Sequence, residues 1–297
     1  MSIIFPMIRI IIVLVLFIIF NFCAKNNDIN IYEPSFNIGA DSTFDIITWN
    51  VQNFPKHDST LKYLLELIPI MKPDVIALQE IEDKSMFDSL KNGLDDYNGM
   101  ITNSAAYNIN LALLYSNNIE IQSIYEIFDD DWWSFPRSPL VAHIKWNGQN
   151  IHIINNHLKA MGGSENESRR KSASENLQNY VNEYLFHDNV IILGDLNDEI
   201  QEHANDNVFQ NFINDSTNYK FTDIDIANGS SINWSYPGWP SHLDHILITN
   251  ELFDEFNNIG SIIQTCRIEE YFNGDLNAYQ NYISDHRPVL LSLLFEN

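Results

Sequence analysis

The segment NVIILGDLNDE, Asn189–Glu199, runs from aliphatic residues into a glycine and then presents Asp195, Asn197, Asp198 and Glu199. An apolar run bounded by glycine reads as a fully buried strand. Polar groups placed directly after it sit at the strand's carboxyl end, where α/β proteins carry their sites. The arrangement recurs along the chain. Asn50 follows IITW, Glu80 follows VIALQ, His157 follows IHIINN, Asp244 opens DHILIT, and Asp285–His286 precede RPVLL. A single terminus of this kind reads as a polar turn, because Asp and Asn initiate turns. Converging termini would instead gather carboxylates, amides and imidazoles suited to metal and phosphate chemistry.

Such a gathering needs elements that bring distant segments together. TFDIITWNV, from Thr43, alternates and is rich in β-formers, so it reads as a first strand. DSTLKYLLELIPIMKPD then reads as a helix, with Asp58 or Ser59 as N-cap and Leu61, Leu64, Leu65 and Ile68 on one face. DVIALQEI is a second strand, and residues 84–94 form a short helix. INLALLYS, IEIQSIYEI, PLVAHIKW and NIHIINNHL read as successive strands, with NGQ a hairpin turn. A polar helix over 168–186 leads into NVIILGD, and residues 199–240, rich in Asn and Asp, read as long loops. LDHILIT and HRPVLLSLLF close the domain as strands. Strands and helices mixed without a strict βαβ rhythm, and without an internal repeat, indicate an α+β sandwich of two sheets flanked by helices.

The 297 residues allow one large domain or two small ones. Arg9 followed by the apolar run Ile10–Phe20 reads as an export signal over residues 1–23. Cys23 is a candidate lipid-attachment site, although FNF before it departs from the small residue expected there, and an uncleaved anchor is the alternative. Residues 24–42 read as a polar tether, and 43–297 as the folded domain. The net charge is −24, and loss of Arg9 with the signal makes it one unit more negative. Taken alone, so acidic a surface disfavours a nucleic-acid binder and favours a divalent-cation requirement. Without Cys23 only Cys266 remains, so there is no disulfide framework and stability rests on an ordinary core.

Taken in order, TWNVQN, DVIALQEIE, INNHLKA, ILGDLNDE, SHLDHILIT and SDHRPV resemble the endonuclease/exonuclease/phosphatase superfamily, over nearly all of residues 43–295. Its members include pancreatic-type deoxyribonucleases, abasic-site endonucleases, sphingomyelinases and inositol polyphosphate 5-phosphatases. The resemblance implies a four-layer α/β sandwich, two packed mixed β-sheets with helices outside, and a metal-dependent phosphodiesterase. Phosphodiester cleavage requires a water held in line with the leaving oxygen and cancellation of charge on the non-bridging oxygens. A hard cation supplies that cancellation, Mg²⁺ first, with Mn²⁺ or Ca²⁺ as alternatives. Glu80 is the best ligand candidate, with Asn50 and Asp285 as helpers near the ion. By resemblance, Asp195 orients or deprotonates the attacking water, and Asn197 fixes that water or the phosphate. His286 donates to the phosphate, held in its tautomer by Asp244. His157 is a second phosphate donor or the acid for the leaving oxygen. Arg137, in FPRSPL, resembles a family arginine that contacts the substrate phosphate.

Two departures stand out. Gln52 replaces an Asp or Arg found in some members, and neither Ile109 nor Asn110 is the carboxylate that deoxyribonucleases pair with their first catalytic histidine. His157 is therefore expected to serve mainly as a hydrogen-bond donor. For Trp132 and Trp133, core or rim packing is expected over base stacking; His143 and His152 are read as structural, and His242 has no assigned place.

NNHLKAMGG followed by SRRK resembles secreted bacterial nucleases. Lys159, Arg169, Arg170 and Lys171 fall close together although the chain holds only 16 Lys and Arg, so a local basic patch beside His157 could hold a phosphate backbone. The Trp-Cys-Asp-Arg stretch of inositol phosphatases is replaced by PGWPSHLDHIL. A sphingomyelinase calls for an exposed apolar hairpin, for which SINWSYPGW is the nearest candidate. A catalytically dead surface module would have lost Glu80, Asp195 or His286, and all three are present. The expectation is thus an exported nuclease acting on DNA, with RNA, lipid and inositol phosphoesters as alternatives. A nucleic-acid substrate and membrane attachment through the N-terminus are the partners implied; no obligate protein partner is indicated.

Overall fold

Alternation along β1 (Thr43–Phe54) sends Phe44 and Ile46 to one face and Ile47, Trp49 and Val51 to the other, all fully buried. A strand apolar on both faces belongs in the interior of a covered sheet. The computed structural model describes residues 40, 42–105 and 108–296, which lie within one compact unit, Pro34–Asn297. The expected export signal and nearly all of the expected tether lie outside the described residues.

After β1 come α1 (Thr60–Met71), β2 (Val75–Ile81), α2 (Lys84–Asn92), β3 (Tyr97–Ile101), β4 (Asn110–Ser116), β5 (Glu120–Glu126), β6 (Leu140–Trp146) and β7 (Gln149–His157). Then follow α3 (Ser164–Tyr184), β8 (Val190–Asp195), α4 (Gln210–Asn214), β9 (Tyr219–Phe221), α5 (Ile224–Ala227) and β10 (Asp244–Thr249). The chain closes with α6 (Phe253–Asn257), β11 (Ile262–Thr265), α7 (Leu276–Tyr282) and β12 (Val289–Leu294). One six-stranded sheet has the order β11-β12-β1-β2-β4-β3, the other β5-β6-β7-β8-β10-β9. In each, one parallel pair, β1–β2 or β7–β8, sits among antiparallel neighbours.

Three apolar clusters define four layers. Ile46, Val75, Ala77, Leu113, Ile153, Ile191, Leu193, Ile246 and Leu291 meet between the sheets. Leu64, Leu67, Ile68 and Phe87 of α1 and α2 cover one outer face, and Leu177 and Val181 of α3 cover the other. Burying aliphatics on both sides of both sheets supplies the core that a chain without disulfides needs. The seam also carries polar bridges, among them Gln79 Nε2 donating to Asn155 Oδ1 across 2.8 Å and Asn155 Nδ2 donating to the carbonyls of Leu78 and Ala112.

The structure corrects several expected elements. The buried stripe of α1 is Leu64, Leu67, Ile68 and Met71, with Leu61 and Leu65 only half-buried, because the helix leans its C-terminal half on the sheet. Ser59 is the N-cap of α1 but makes no side-chain cap bond. Helix α3 begins at Ser164, where Glu165 and Glu167 complement the positive helix end. Residues 199–240 are not all loop, since α4, β9 and α5 bury Phe212, Phe221 and Ala227. Strands β3 and β11 and helices α6 and α7 add to the expected elements; the two strands are half-exposed edges and carry a weak apolar signal. Among the described residues, no helix is long and apolar enough to cross a membrane.

Candidate active site

Each inter-sheet face starts aliphatic and ends polar. On β1 the series is Phe44, Ile46, Thr48, Asn50; on β7 it is Ile151, Ile153, Asn155, His157; on β8 it is Ile191, Leu193, Asp195. Strand β10 runs antiparallel to β8 and so reads the other way, with Asp244 opposite Asp195 and Ile246 opposite Leu193. Parallel central strands end, and their antiparallel neighbours begin, at one edge of the sandwich. The polar termini therefore meet at the open end of the seam.

Glu80 reaches that end by breaking the alternation. Its backbone is left-handed (φ 63°), and the register of β2 shifts between Leu78 and Ile81 on β4. Ile81 thereby joins Ile76 and Leu78 on the helix side, and Glu80 is the extra residue of a bulge. Gly194 serves β8 in a related way. At φ 144° it lets the strand pass so close to β7 that a Cβ would lie 2.0 Å from the carbonyl oxygen of Asn156.

Asn50 stands at the centre, its Nδ2 donating to Glu80 Oε1 (3.1 Å) and Asp195 Oδ2 (2.9 Å). Glu80 Oε2 accepts from the backbone N–H of Asn53 at 3.0 Å. His157 Nε2 lies 3.5 Å from Asp195 Oδ2 and 3.8 Å from Glu80 Oε1. His286 Nδ1 lies 2.7 Å from Asp244 Oδ2, and its Nε2 faces Asp195 Oδ2 at 3.9 Å. Asp195 Oδ1 accepts from the N–H of Asn197 (3.1 Å), whose left-handed backbone turns its Nδ2 onto the carbonyl of Leu158 (3.2 Å).

The electrostatics separate the two histidines. Burial opposes charge on His286, but Asp244 and Asp195 outweigh it and raise its pKa to about 10, so it is an imidazolium at neutral pH. Burial, with Arg137 and His286 nearby, holds His157 well below the ordinary range and therefore neutral. His157 Nδ1 is buried without a hydrogen-bond partner, in keeping with the missing carboxylate near Asn110. Burial pushes Asp195 up to about 7, with Asp244 and Glu80 adding to the rise and His286 and Asn50 opposing it.

The remaining predicted residues fall around this centre. Asp285 lies one step out, its Oδ2 accepting from Gln52 Nε2 (2.8 Å) and its N–H donating to Gln52 Oε1 (3.1 Å). Gln52 thus takes over a bracing role, also receiving Lys56 Nζ. Arg137 Nη1 points to the Leu158 carbonyl at 3.4 Å, its Nε is buried without a partner, and Glu80 and Asp195 act on its charge. Lys159 is pushed down by burial and by Arg169, Arg137 and Arg170, a mark of locally concentrated positive charge. Arg169 donates to the carbonyls of Trp133 and Trp132. Arg170, expected to bind substrate, is instead buried: its Nε donates to Asp198 Oδ2 (2.7 Å) and its Nη1 to the carbonyls of Lys159 and Met161. Trp132 and Trp133, expected to pack, are exposed. His143 and His152 stack at 4.2 Å on neighbouring strands, away from the cluster.

Among the described residues, Glu80–His157–Asp195 and Asp195–Asp244–His286 each bring ligand atoms within 4.8 Å of one another. Asp285 joins neither group, and Asn50 Oδ1 is taken by the N–H of Gln52. The donor set suits a hard divalent cation: carboxylates crowd together in a buried place where Asp195 and Asp285 resist ionisation, and Asp244 Oδ1 is left unpartnered. Glu80, more accessible than Asp195 or Asp244, is the group that would hold it, with Asn50 fixing its orientation.

The sequence model described as Endonuclease/Exonuclease/phosphatase family matches residues 47–286. No curated protein matches the chain. Among solved structures, D. rerio TDP2 complexed with a single-strand DNA product superposes with a TM-score of 0.66 at 14% identity, covering 85% of this chain and 99% of that one. The human Nocturnin catalytic domain with bound sulfate gives 0.61 at 19% identity, covering 87% and 97%. An endonuclease/exonuclease/phosphatase from Bacteroides vulgatus gives 0.61 at 14% identity, covering 86% and 99%.

Proposed function

Because the chain belongs to the Endonuclease/Exonuclease/phosphatase family, we propose that it is an exported, divalent-metal-dependent phosphodiesterase acting as a nuclease on DNA, with RNA as a second substrate. The observation that carries this reading is the gathering of Glu80, Asp195 and His286, from three distant segments, at one place: Asn50 hydrogen-bonds both Glu80 and Asp195, and His286 Nε2 faces Asp195 at 3.9 Å. When bound, a cation such as Mg²⁺ would neutralise phosphoryl oxygens and make phosphorus a better electrophile. Asp195, buried and with a raised pKa, is suited to accept a proton from the attacking water, while Asn197 steadies that water or the phosphate. His286, kept cationic by Asp244, donates Nε2–H to a non-bridging oxygen. Neutral His157 donates Nε2–H on the opposite side and is a poor acid for the leaving oxygen.

Arg137, Lys159 and Arg169 lie beside this centre in an otherwise acidic protein, which supports a polyanionic substrate. D. rerio TDP2, which shares the fold, has been seen with a single-strand DNA product, in keeping with the same class of substrate here. A lipid phosphodiesterase is the second reading, favoured by exposed Ile232 and Trp239 near Tyr236, whose ring lies 4.8 Å from that of His286. The deciding experiment incubates the protein with plasmid DNA, RNA, sphingomyelin and inositol phosphates, with Mg²⁺ or with chelator. Metal-dependent loss of nucleic acid is expected; cleavage of lipid with nucleic acid untouched would reject the nuclease reading. Export rests on the Arg9–Phe20 pattern, and lipid labelling that persists in Cys23→Ser would reject attachment at that cysteine.

A further inference from the structure

A second cluster lies behind the reaction centre. Asp223, His242 and His245 are fully buried, and none of them shares a hydrogen bond or ion pair with Glu80, Asp195 or His286. His245 Nδ1 lies 2.6 Å from Asp223 Oδ2, and its Nε2 lies 3.0 Å from the carbonyl oxygen of Asp198. A carboxylate and a carbonyl can only accept, so both ring nitrogens of His245 must carry protons. His242 receives the N–H of Ser235 at Nδ1 (3.2 Å), which leaves its own proton on Nε2, 3.0 Å from the same Asp223 oxygen but not aligned for a hydrogen bond. Asp223 Oδ1 accepts from the N–H of Ile246 at 3.1 Å. These three side chains offer ligand atoms close enough for an ion. The 2.6 Å separation is a hydrogen-bond distance, however, whereas an ion bound by both atoms at about 2.0–2.2 Å would hold them farther apart.

The network grips both halves of the centre. The carbonyl of Asp198, three residues beyond Asp195, is held by His245, and its carboxylate is held by Arg170 at 2.7 Å. The turn that carries Asp195 and Asn197 is thus fixed from β10 on one side and α3 on the other. Ser235, which binds His242 through its N–H, takes the N–H groups of Leu243 and Asp244 on its Oγ, each at 3.1 Å.

We infer that His245 is a positioning residue: as a doubly donating imidazolium between Asp223 and the Asp198 carbonyl, it sets the place of Asp195 relative to the Asp244–His286 pair. Burial alone would favour the neutral ring, and Asp223 more than offsets it. The catalytic consequence rests on the phosphodiesterase reading above; the positional one does not.

Nitrogen-edited NMR of the full chain at neutral pH tests the charge state. Two ring N–H protons on His245 are expected, and a single one would overturn the inference. His245→Asn, His245→Gln and Asp223→Asn then test the positioning. Folded variants should move the downfield Nδ1 proton of His286. On bis(p-nitrophenyl) phosphate with Mg²⁺ they should lower kcat about 10–100-fold with KM within about twofold, as expected when reacting groups are misplaced by about an ångström. A folded variant with an unmoved His286 proton and unchanged kcat would refute the role. If the wild type cleaves no phosphodiester, the His286 resonance still decides, so the two readings fail separately.

Discussion

At the scale of single residues, the site runs on unequal environments for like groups. Glu80 keeps a partly exposed carboxylate held by Asn50 and the N–H of Asn53, whereas Asp195 is enclosed. Glu80→Gln keeps the shape and removes the charge that a cation needs, so metal-dependent turnover should fall at least ~100-fold, as when a catalytic charge-stabilising group is lost; unchanged activity would remove Glu80 from the site. The Asp244–His286 pair allows a test without substrate. In metal-free protein His286 should stay cationic through neutral pH and lose its proton near 10. Asp244→Asn takes away the neighbouring negative charge, so the proton should leave at lower pH, toward 6.5, and an NMR titration midpoint that stays put would refute the pairing. Glu80, Asp195 and His286 were legible in the sequence because each stands at the end of an apolar run. Asp198 and His245 were not, because their partners are a backbone carbonyl, an arginine on a distant helix and Asp223 in a stretch that reads as loop. Arg170 shows the converse error, a charge expected to bind substrate from a polar helix that turns inward to an aspartate.

At the scale of elements, β7 and β8 approach each other where Gly194 passes Asn156. Gly194→Ala would place a methyl inside the space of a backbone carbonyl and force a left-handed residue, costing about 2–3 kcal/mol or more. A lowered urea midpoint should appear together with loss of activity, since Asp195 is the next residue; full stability in this variant would contradict the close approach. The long strands and α1 were readable because each has an apolar run or stripe, whereas α2 was expected only as a short helix and α3 only as a polar one. The edge strands β3 and β11 and short α4 to α7 were not, because a few apolar side chains scattered among Asn and Asp create no period.

At the scale of the whole molecule, a net charge of −24 surrounds a small basic neighbourhood formed by Arg137, Lys159 and Arg169. If DNA binds there, affinity must fall steeply with salt, by roughly tenfold or more between 50 and 200 mM for about three neutralised phosphates. Lys159→Gln should reduce the slope of log affinity against log salt by about one, and an unaltered slope would exclude Lys159 from the phosphate path. Composition alone pointed away from nucleic acid, because an average over the chain hides where its few cations stand.

The reacting groups are rooted at strand ends, whereas exposed Trp132, Met161 and Trp239 hang on the segments between elements and exposed Ile232 on a single 3-10 turn, Ser231–Asn233. On the phosphodiesterase reading proposed above, swapping or shortening one of those segments is expected to change which esters are admitted while the strand-end groups keep their places. A scaffold divided in this way can be retargeted without having to reinvent its chemistry.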